Sequence, residues 1–318
     1  MEWIEGHSPA ARTLEGLLGQ VAASSVPLLL QGESGSGKSA CAREIHRRSA
    51  RAAEPLVVTQ LSTLAPSLIE SELFGHSAGA FTGAQRAREG RFRRAGEGTL
   101  VLAGIETLAE ELQSKLLRVL QERVVEPVGS EEALPVPARV IATSGVDLRE
   151  AVRAGRFRGD LYFRLAVVVI DVPPLRVRAE DLPDLAARIL ADAAARLSLP
   201  ARRLSGAAQE ALLAHRWPGN LRELENALER VLVLGGGSRA EIEANEFAFL
   251  AEVRAEALLP LARALLARGA GLQEFERTLL AEALAESRGN VAAAARALGL
   301  SRKAFESRQA RARAGDEP

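Results

Sequence analysis

The chain has 318 residues, 47% hydrophobic and 26% charged, with 41 basic and 41 acidic side chains and a formal net charge of zero. That length exceeds one compact core and implies two or three domains, and the composition excludes a disordered or fibrous chain. Neutrality excludes a global field that would draw the protein onto nucleic acid or membrane, so any such attraction must come from a local patch.

From residue 1 to 175 short apolar runs alternate with helical periodicity, the rhythm of a doubly wound α/β domain. Strands are expected at 26–31, 56–60, 99–102, 139–143 and 167–172, each a nearly continuous apolar run as parallel strands covered on both faces require. Pro173 and Pro174 stop the last of them, because neither donates to a ladder. The longest apolar runs are strand-sized and far too short to span a membrane. The acidic start, Met1 to Glu5, lacks the basic and apolar regions of a signal peptide, so a cytoplasmic location is expected. Cys41 is the single cysteine, which rules out an intramolecular disulfide framework; it reads as a small packed residue.

Residues 176–250 read as a small all-α subdomain, with helices at 181–197, 205–215 and 220–234 and a stop at Gly235-Gly236-Gly237. Residues 251–271 are rich in Ala, Leu and Arg and form the expected linker. Residues 272–318 carry a periodicity of their own.

Gly32-Glu33-Ser34-Gly35-Ser36-Gly37-Lys38-Ser39 satisfies G-x-x-x-x-G-K-[ST] between an apolar strand and a helix, the context this motif needs. Glycines let backbone N–H groups converge on phosphate oxygens, aided by the positive end of the following helix. Lys38 is expected to reach the β- and γ-phosphates of ATP, and the Ser39 hydroxyl to ligate Mg²⁺.

Onward from this loop the chain resembles the central AAA+ domain of sigma-54-dependent transcription activators, the bacterial enhancer-binding proteins, over residues 4–234. The motif 70–76 leads into Gly79-Ala80-Phe81-Thr82-Gly83-Ala84, which the resemblance makes a surface loop touching the sigma factor of the RNA polymerase holoenzyme. Glycines at both ends and an apolar tip suit such a moving probe. The segment 155–165 resembles the stretch whose arginines, here Arg158 and Arg164, reach a neighbouring subunit's ATP, which implies a ring. The segment 217–226 resembles the start of the lid helix, with Arg222 as a sensor of γ-phosphate and Asn220 as a helix cap.

The centre of the motif set departs from the family. Members end the strand after Gly-Thr with an Asp-Glu pair, which supports the metal and polarises the attacking water; here Ala103 and Gly104 stand in those places. Neither can orient a cation's waters through a side chain or take a proton. Glu106 lies two residues further on and would need a re-routed backbone to reach the site. The family's asparagine that restrains the catalytic Glu is matched by Gln60, and its asparagine that senses γ-phosphate by Gly145.

At the C-terminus, a helix over 275–287 with Phe275, Leu279, Leu280, Ala283 and Leu284 on one face, a second over 291–298 capped by Asn290, a turn at Gly299 and a third capped by Ser301 form a helix-turn-helix pattern. This stretch is similar to the Fis-type domain of the same activators. Arg296, Arg302, Lys303, Arg308, Arg311 and Arg313 face one acid, Glu306, within 296–313, so Ser301, Arg302, Lys303 and Arg308 are the expected contacts to double-stranded enhancer DNA. With the phosphate loop so near residue 1, no regulatory domain is expected ahead of it.

Three readings follow. The first is a regulator that binds ATP and DNA with weak or no hydrolysis of its own, assembling with itself or in a mixed ring with an active relative. The second is an active ATPase that remodels the closed polymerase complex. The third is a P-loop protein outside transcription.

Overall fold

The computed structural model describes residues 6–81, 84–235, 240–250, 272–287, 289–298 and 300–314. The expectations for 1–5, Thr82, Gly83, Gly236-Gly237, the linker 251–271, the Gly299 turn and the tail 315–318 lie outside them. The chain divides into two compact units, 1–247 and 248–318.

The first unit is built on five parallel strands: β1 (Leu28–Gln31), β2 (Leu56–Gln60), β3 (Thr99–Ala103), β4 (Arg139–Ser144) and β5 (Val168–Asp171). Their spatial order is β2-β3-β4-β1-β5. β1, β3 and β4 are buried along their whole length, which is why each reads as a nearly continuous apolar run with polar residues only at its ends. Alternate residues serve opposite faces. Leu29, Leu100, Leu102, Val140 and Ala142 join one apolar layer, while Leu28, Leu30, Val101 and Ile141 join the other. Burying each leucine fully is worth about 1.5–3 kcal/mol.

The register pairs Gln60 with Ala103 and Ala103 with Thr143, so the carboxyl ends of β2, β3 and β4 lie side by side. In open α/β sheets ligands bind at such ends. Helix α1 (Pro9–Ala22) precedes β1, and α2 (Lys38–Arg47) follows it. Asp181 fastens the N-terminal segment, accepting from the Ser8 N–H at 2.7 Å and from the Ser8 hydroxyl at 2.7 Å.

A helical subdomain completes this unit with α3 (Leu182–Leu197), α4 (Gly206–Ala214) and α5 (Asn220–Leu234). Its buried Trp217 donates its ring N–H to the Leu212 carbonyl at 2.9 Å.

The second unit contains α6 (Leu272–Glu286), α7 (Val291–Ala297) and α8 (Arg302–Ala314). Leu280, Ala283, Ala294, Ala295 and Phe305 form its core. Asn290 caps α7 by accepting from the Ala293 N–H at 3.1 Å, and Ser301 accepts from the Ala304 N–H at 3.2 Å. Leu279 departs from the expected apolar face: it is 42% exposed, because Leu280 and Ala283, not Leu279, point to the Phe305 side.

Candidate nucleotide site

The turn from β1 into α2 is held in shape by glycines. Gly35 (φ +75°) and Gly37 (φ +103°) occupy left-handed backbone that side chains rarely adopt. A Cβ on Gly35 would collide with the Gly219 carbonyl oxygen and lie 3.3 Å from Arg222 Cβ. The Leu221 N–H donates to the Gly35 carbonyl at 3.0 Å, so loop and helical subdomain meet through backbone. Lys38 Nζ donates to the carbonyls of Gly32 and Glu33 at 2.6 and 2.7 Å. The buried Ser36 hydroxyl has no hydrogen-bond partner among the described residues.

A cavity of about 510 Å³ opens here, lined by Gly35, Lys38 and Ser39 from the loop side, Ala103 and Gly145 from the strand ends, and Arg222 from α5. Its charges are felt at Lys38. Burial lowers the Lys38 pKa, and Glu106 is the first of the charges that oppose this, while Arg222 adds to it. Glu33 is held down to about 2, chiefly by its hydrogen bond from Arg176, with Asn220 assisting. The Arg176 guanidinium makes contacts of 2.7 and 2.6 Å to Glu33.

Asn220 does not cap α5. It is the first residue of that helix, adopts φ +54° and is fully buried. Its side chain accepts from the Leu175 N–H at 2.8 Å and donates to the Ser34 carbonyl at 3.0 Å. It ties the phosphate loop to the helical subdomain, a role that local helix-capping rules do not reveal.

Glu106 corrects a second expectation. Gly104 takes a left-handed conformation (φ +79°, ψ +44°) and a short 3₁₀ turn, Ile105–Thr107, follows. That turn folds the chain back so that Glu106 lines the cavity. Its Oε1 accepts from the Gly145 N–H at 2.8 Å, and its buried Oε2 has no hydrogen-bond partner among the described residues. Gln60 also lines the cavity, donating to the Ser62 hydroxyl at 3.1 Å. Cys41 lies beneath the loop, fully buried. Burial pushes its thiol up to about 12, so it is inert packing and not a nucleophile.

The remaining expected sites of the first unit do not line this cavity. In the loop Gly79–Ala84 the described residues form a closed turn, with the Gly79 N–H donating to the Ala84 carbonyl at 2.8 Å. Phe81 is 43% exposed, its ring 5.0 Å from that of His76. Arg158 pairs with Asp160 at 2.8 Å and donates to the Ser114 hydroxyl at 3.2 Å. Arg164 donates to the Leu120 carbonyl at 3.1 and 3.0 Å. In the second unit Arg302 pairs with Glu306 at 2.8 Å, and Arg308 with Glu276 at 2.7 Å. The basic stretch therefore meets a second acid, supplied from α6 and invisible in the 296–313 window.

The parallel sheet with strand order β2-β3-β4-β1-β5, a phosphate loop after β1 and a helical subdomain closing over it define an AAA+ P-loop fold. Comparison with known proteins gives the family. The sigma-54 interaction domain matches residues 4–171, the AAA+ ATPase lid domain 176–271, and the Fis family of bacterial regulatory proteins 271–308. The chain belongs to the sigma-54 interaction domain family.

It is 44% identical to the transcriptional regulatory protein ZraR of Klebsiella oxytoca over 94% of this chain, and 42% identical to the response regulator protein PilR of Pseudomonas aeruginosa over 93%. It spans 66% of the length of each. Among solved structures, NtrX of Brucella abortus in complex with ATP is 31% identical with a TM-score of 0.72, covering 98% of this chain and 69% of NtrX. NtrX in complex with ADP gives 30% and 0.73 over 98% and 69%. No helix among the described residues is long and apolar enough to cross a membrane.

Proposed function

We propose that this protein is a transcription regulator that contacts sigma-54 holoenzyme, binds Mg²⁺-ATP and double-stranded enhancer DNA, and hydrolyses ATP at most slowly on its own. The observation that carries this is the make-up of the cavity: Ser34, Gly35, Gly37, Lys38 and Ser39 of the phosphate loop line it together with Ala103, Gly104 and Gly145, which offer no polar side chain. Gly32 to Ser39 hold the phosphates, with Lys38 as counter-charge, Ser39 as metal ligand and Arg222 reporting on the γ-phosphate. A bound Mg²⁺ supplies neutralisation of the phosphate charge. NtrX, solved with ATP and with ADP, supports nucleotide binding on this scaffold.

Gly79, Ala80, Phe81, Thr82, Gly83 and Ala84 form the sigma-factor contact, with the exposed Phe81 at its tip. Ser301, Arg302, Lys303 and Arg308 contact DNA. Arg158 and Arg164 serve a neighbouring subunit's nucleotide in a homo-oligomer or in a mixed ring with an active relative. Having Ala103 and Gly104 where the family carries its Asp-Glu pair costs about a hundred- to ten-thousand-fold in rate. An active ATPase using Glu106 as base is the second reading, favoured only by that residue's place in the cavity. A P-loop protein outside transcription does not account for the match over 4–171.

The test is a Mg²⁺-ATP titration with phosphate release followed in the same sample. Saturable binding with turnover below about 0.1 per second is expected, against about 1–10³ per second for ordinary enzymes. Failure to bind ATP, or turnover in the ordinary range, overturns the proposal.

A further inference from the structure

Helix α8 of the second unit buries one side and leaves another open. Phe305 is fully buried in the core with Leu280 and Ala295, and Arg308 turns toward α6 to pair with Glu276. Arg302, Lys303, Glu306 and Ser307 are all exposed. Their spacing, i, i+1, i+4 and i+5, sets them on one continuous face of the helix. Two cations and a hydroxyl suit a surface that meets DNA. The fourth member of the face is an acid, and a carboxylate beside phosphates weakens binding to every sequence alike unless a base offers it a donor.

Helix stability does not account for that acid. Arg302 Nε donates to Glu306 Oε1 at 2.8 Å, but both side chains are largely in solvent, 71% and 48% exposed. The pair runs in the less favourable order, base before acid, and it puts the cation at the positive end of the helix dipole. Such a surface pair adds little to folding. What it does is hold a carboxylate in one orientation at the start of α8, where a recognition helix meets base edges. A carboxylate only accepts. In the major groove cytosine presents an amine donor with no acceptor of its own beside it, adenine sets its N7 acceptor next to its amine, and guanine and thymine present acceptors.

We propose that Glu306 selects sequence for this helix-turn-helix by accepting from the exocyclic amine of a cytosine, with Arg302 as the residue that positions it. Lys303 adds affinity for any duplex; Glu306 subtracts affinity from duplexes that lack the cytosine. The inference rests on the proposal that residues 301–308 meet double-stranded DNA.

The test is selection from random-sequence duplexes by the full chain as wild type, Glu306→Ala and Glu306→Gln. Position 306 is exposed, so both variants keep the fold. The wild type is expected to enrich a cytosine at one position of its site and Glu306→Ala to lose that enrichment. Glu306→Gln should turn it toward adenine, whose N6 and N7 an amide reads together. The duplex selected by the wild type is then remade with 2-pyrimidinone, which lacks the amine, in place of that cytosine. The wild type should lose about 5- to 150-fold in affinity for it, and Glu306→Ala less than about twofold. Equal losses in the two proteins, or the same selected sequence in all three, overturn the inference and leave DNA binding standing. Absence of DNA binding by the wild type overturns the inference together with the proposal beneath it.

Discussion

Gly35→Ala is the sharpest probe of how the phosphate loop meets the helical subdomain. Gly35 sits at φ +75°, where an L side chain costs about 1–2 kcal/mol. The new Cβ would collide with the Gly219 carbonyl. Relieving that clash moves the turn that carries the Leu221 N–H away from the Gly35 carbonyl, which it now meets at 3.0 Å. That hydrogen bond is worth about 1 kcal/mol. The total is about 2–3 kcal/mol, and the protein can bear it in two ways. If the loop keeps its shape, the melting temperature of the first unit falls by about 4–12 °C. If the loop relaxes, ATP affinity falls by about 30- to 150-fold. Differential scanning fluorimetry and an ATP titration on the same preparation measure both. An alanine variant with unchanged melting temperature and unchanged ATP affinity would refute the reasoning.

Arg139 is buried in β4 with Nε and Nη1 unpartnered, and burial lowers its pKa to about 10. Among the described residues its one side-chain hydrogen bond goes to the Val21 carbonyl, which also accepts from the Ser24 N–H, so Arg139→Met should stabilise the unit by about 1–3 kcal/mol in denaturant unfolding; a loss of stability would contradict this. His46 is buried, and burial lowers its pKa below the ordinary value of 6.5. The unfolded chain therefore takes up the proton that the folded chain refuses, so this residue's contribution to stability falls as pH drops below about 6.5 and is constant above. His46→Gln should flatten that part of the stability–pH curve. Lys303 is exposed at the start of α8, and Lys303→Ala should weaken DNA binding evenly across sequences and reduce the salt slope by about one in filter-binding assays.

The strands and the phosphate loop were legible in the sequence because both depend on neighbours in the chain. Continuous apolar runs mark β1, β3 and β4, which are covered on both faces, and the loop glycines stand at fixed spacing. The position of Glu106 was not legible. It depends on the hand of the Gly104 backbone and on a hydrogen bond from the Gly145 N–H, 39 residues away along the chain. Asn220 reads locally as a cap, yet its partners Ser34 and Leu175 lie 186 and 45 residues distant. Leu279 fits a helical stripe by spacing alone, but among the described residues Leu280 and Ala283, not Leu279, join the core. The pairing of Arg308 with Glu276 likewise crosses between helices.

The central claim is that this site grips a triphosphate without the carboxylates that turn it over. Steady-state phosphate release by the full chain, measured before and after Ala103→Asp with Gly104→Glu, tests it most directly. Position 104 is left-handed, so the second substitution carries about 1–2 kcal/mol of strain that a melting curve will register. Slow release by the unmodified protein and a gain of about a hundredfold or more in the double variant are predicted. Rapid release by the unmodified protein, with no gain in the variant, would contradict the account.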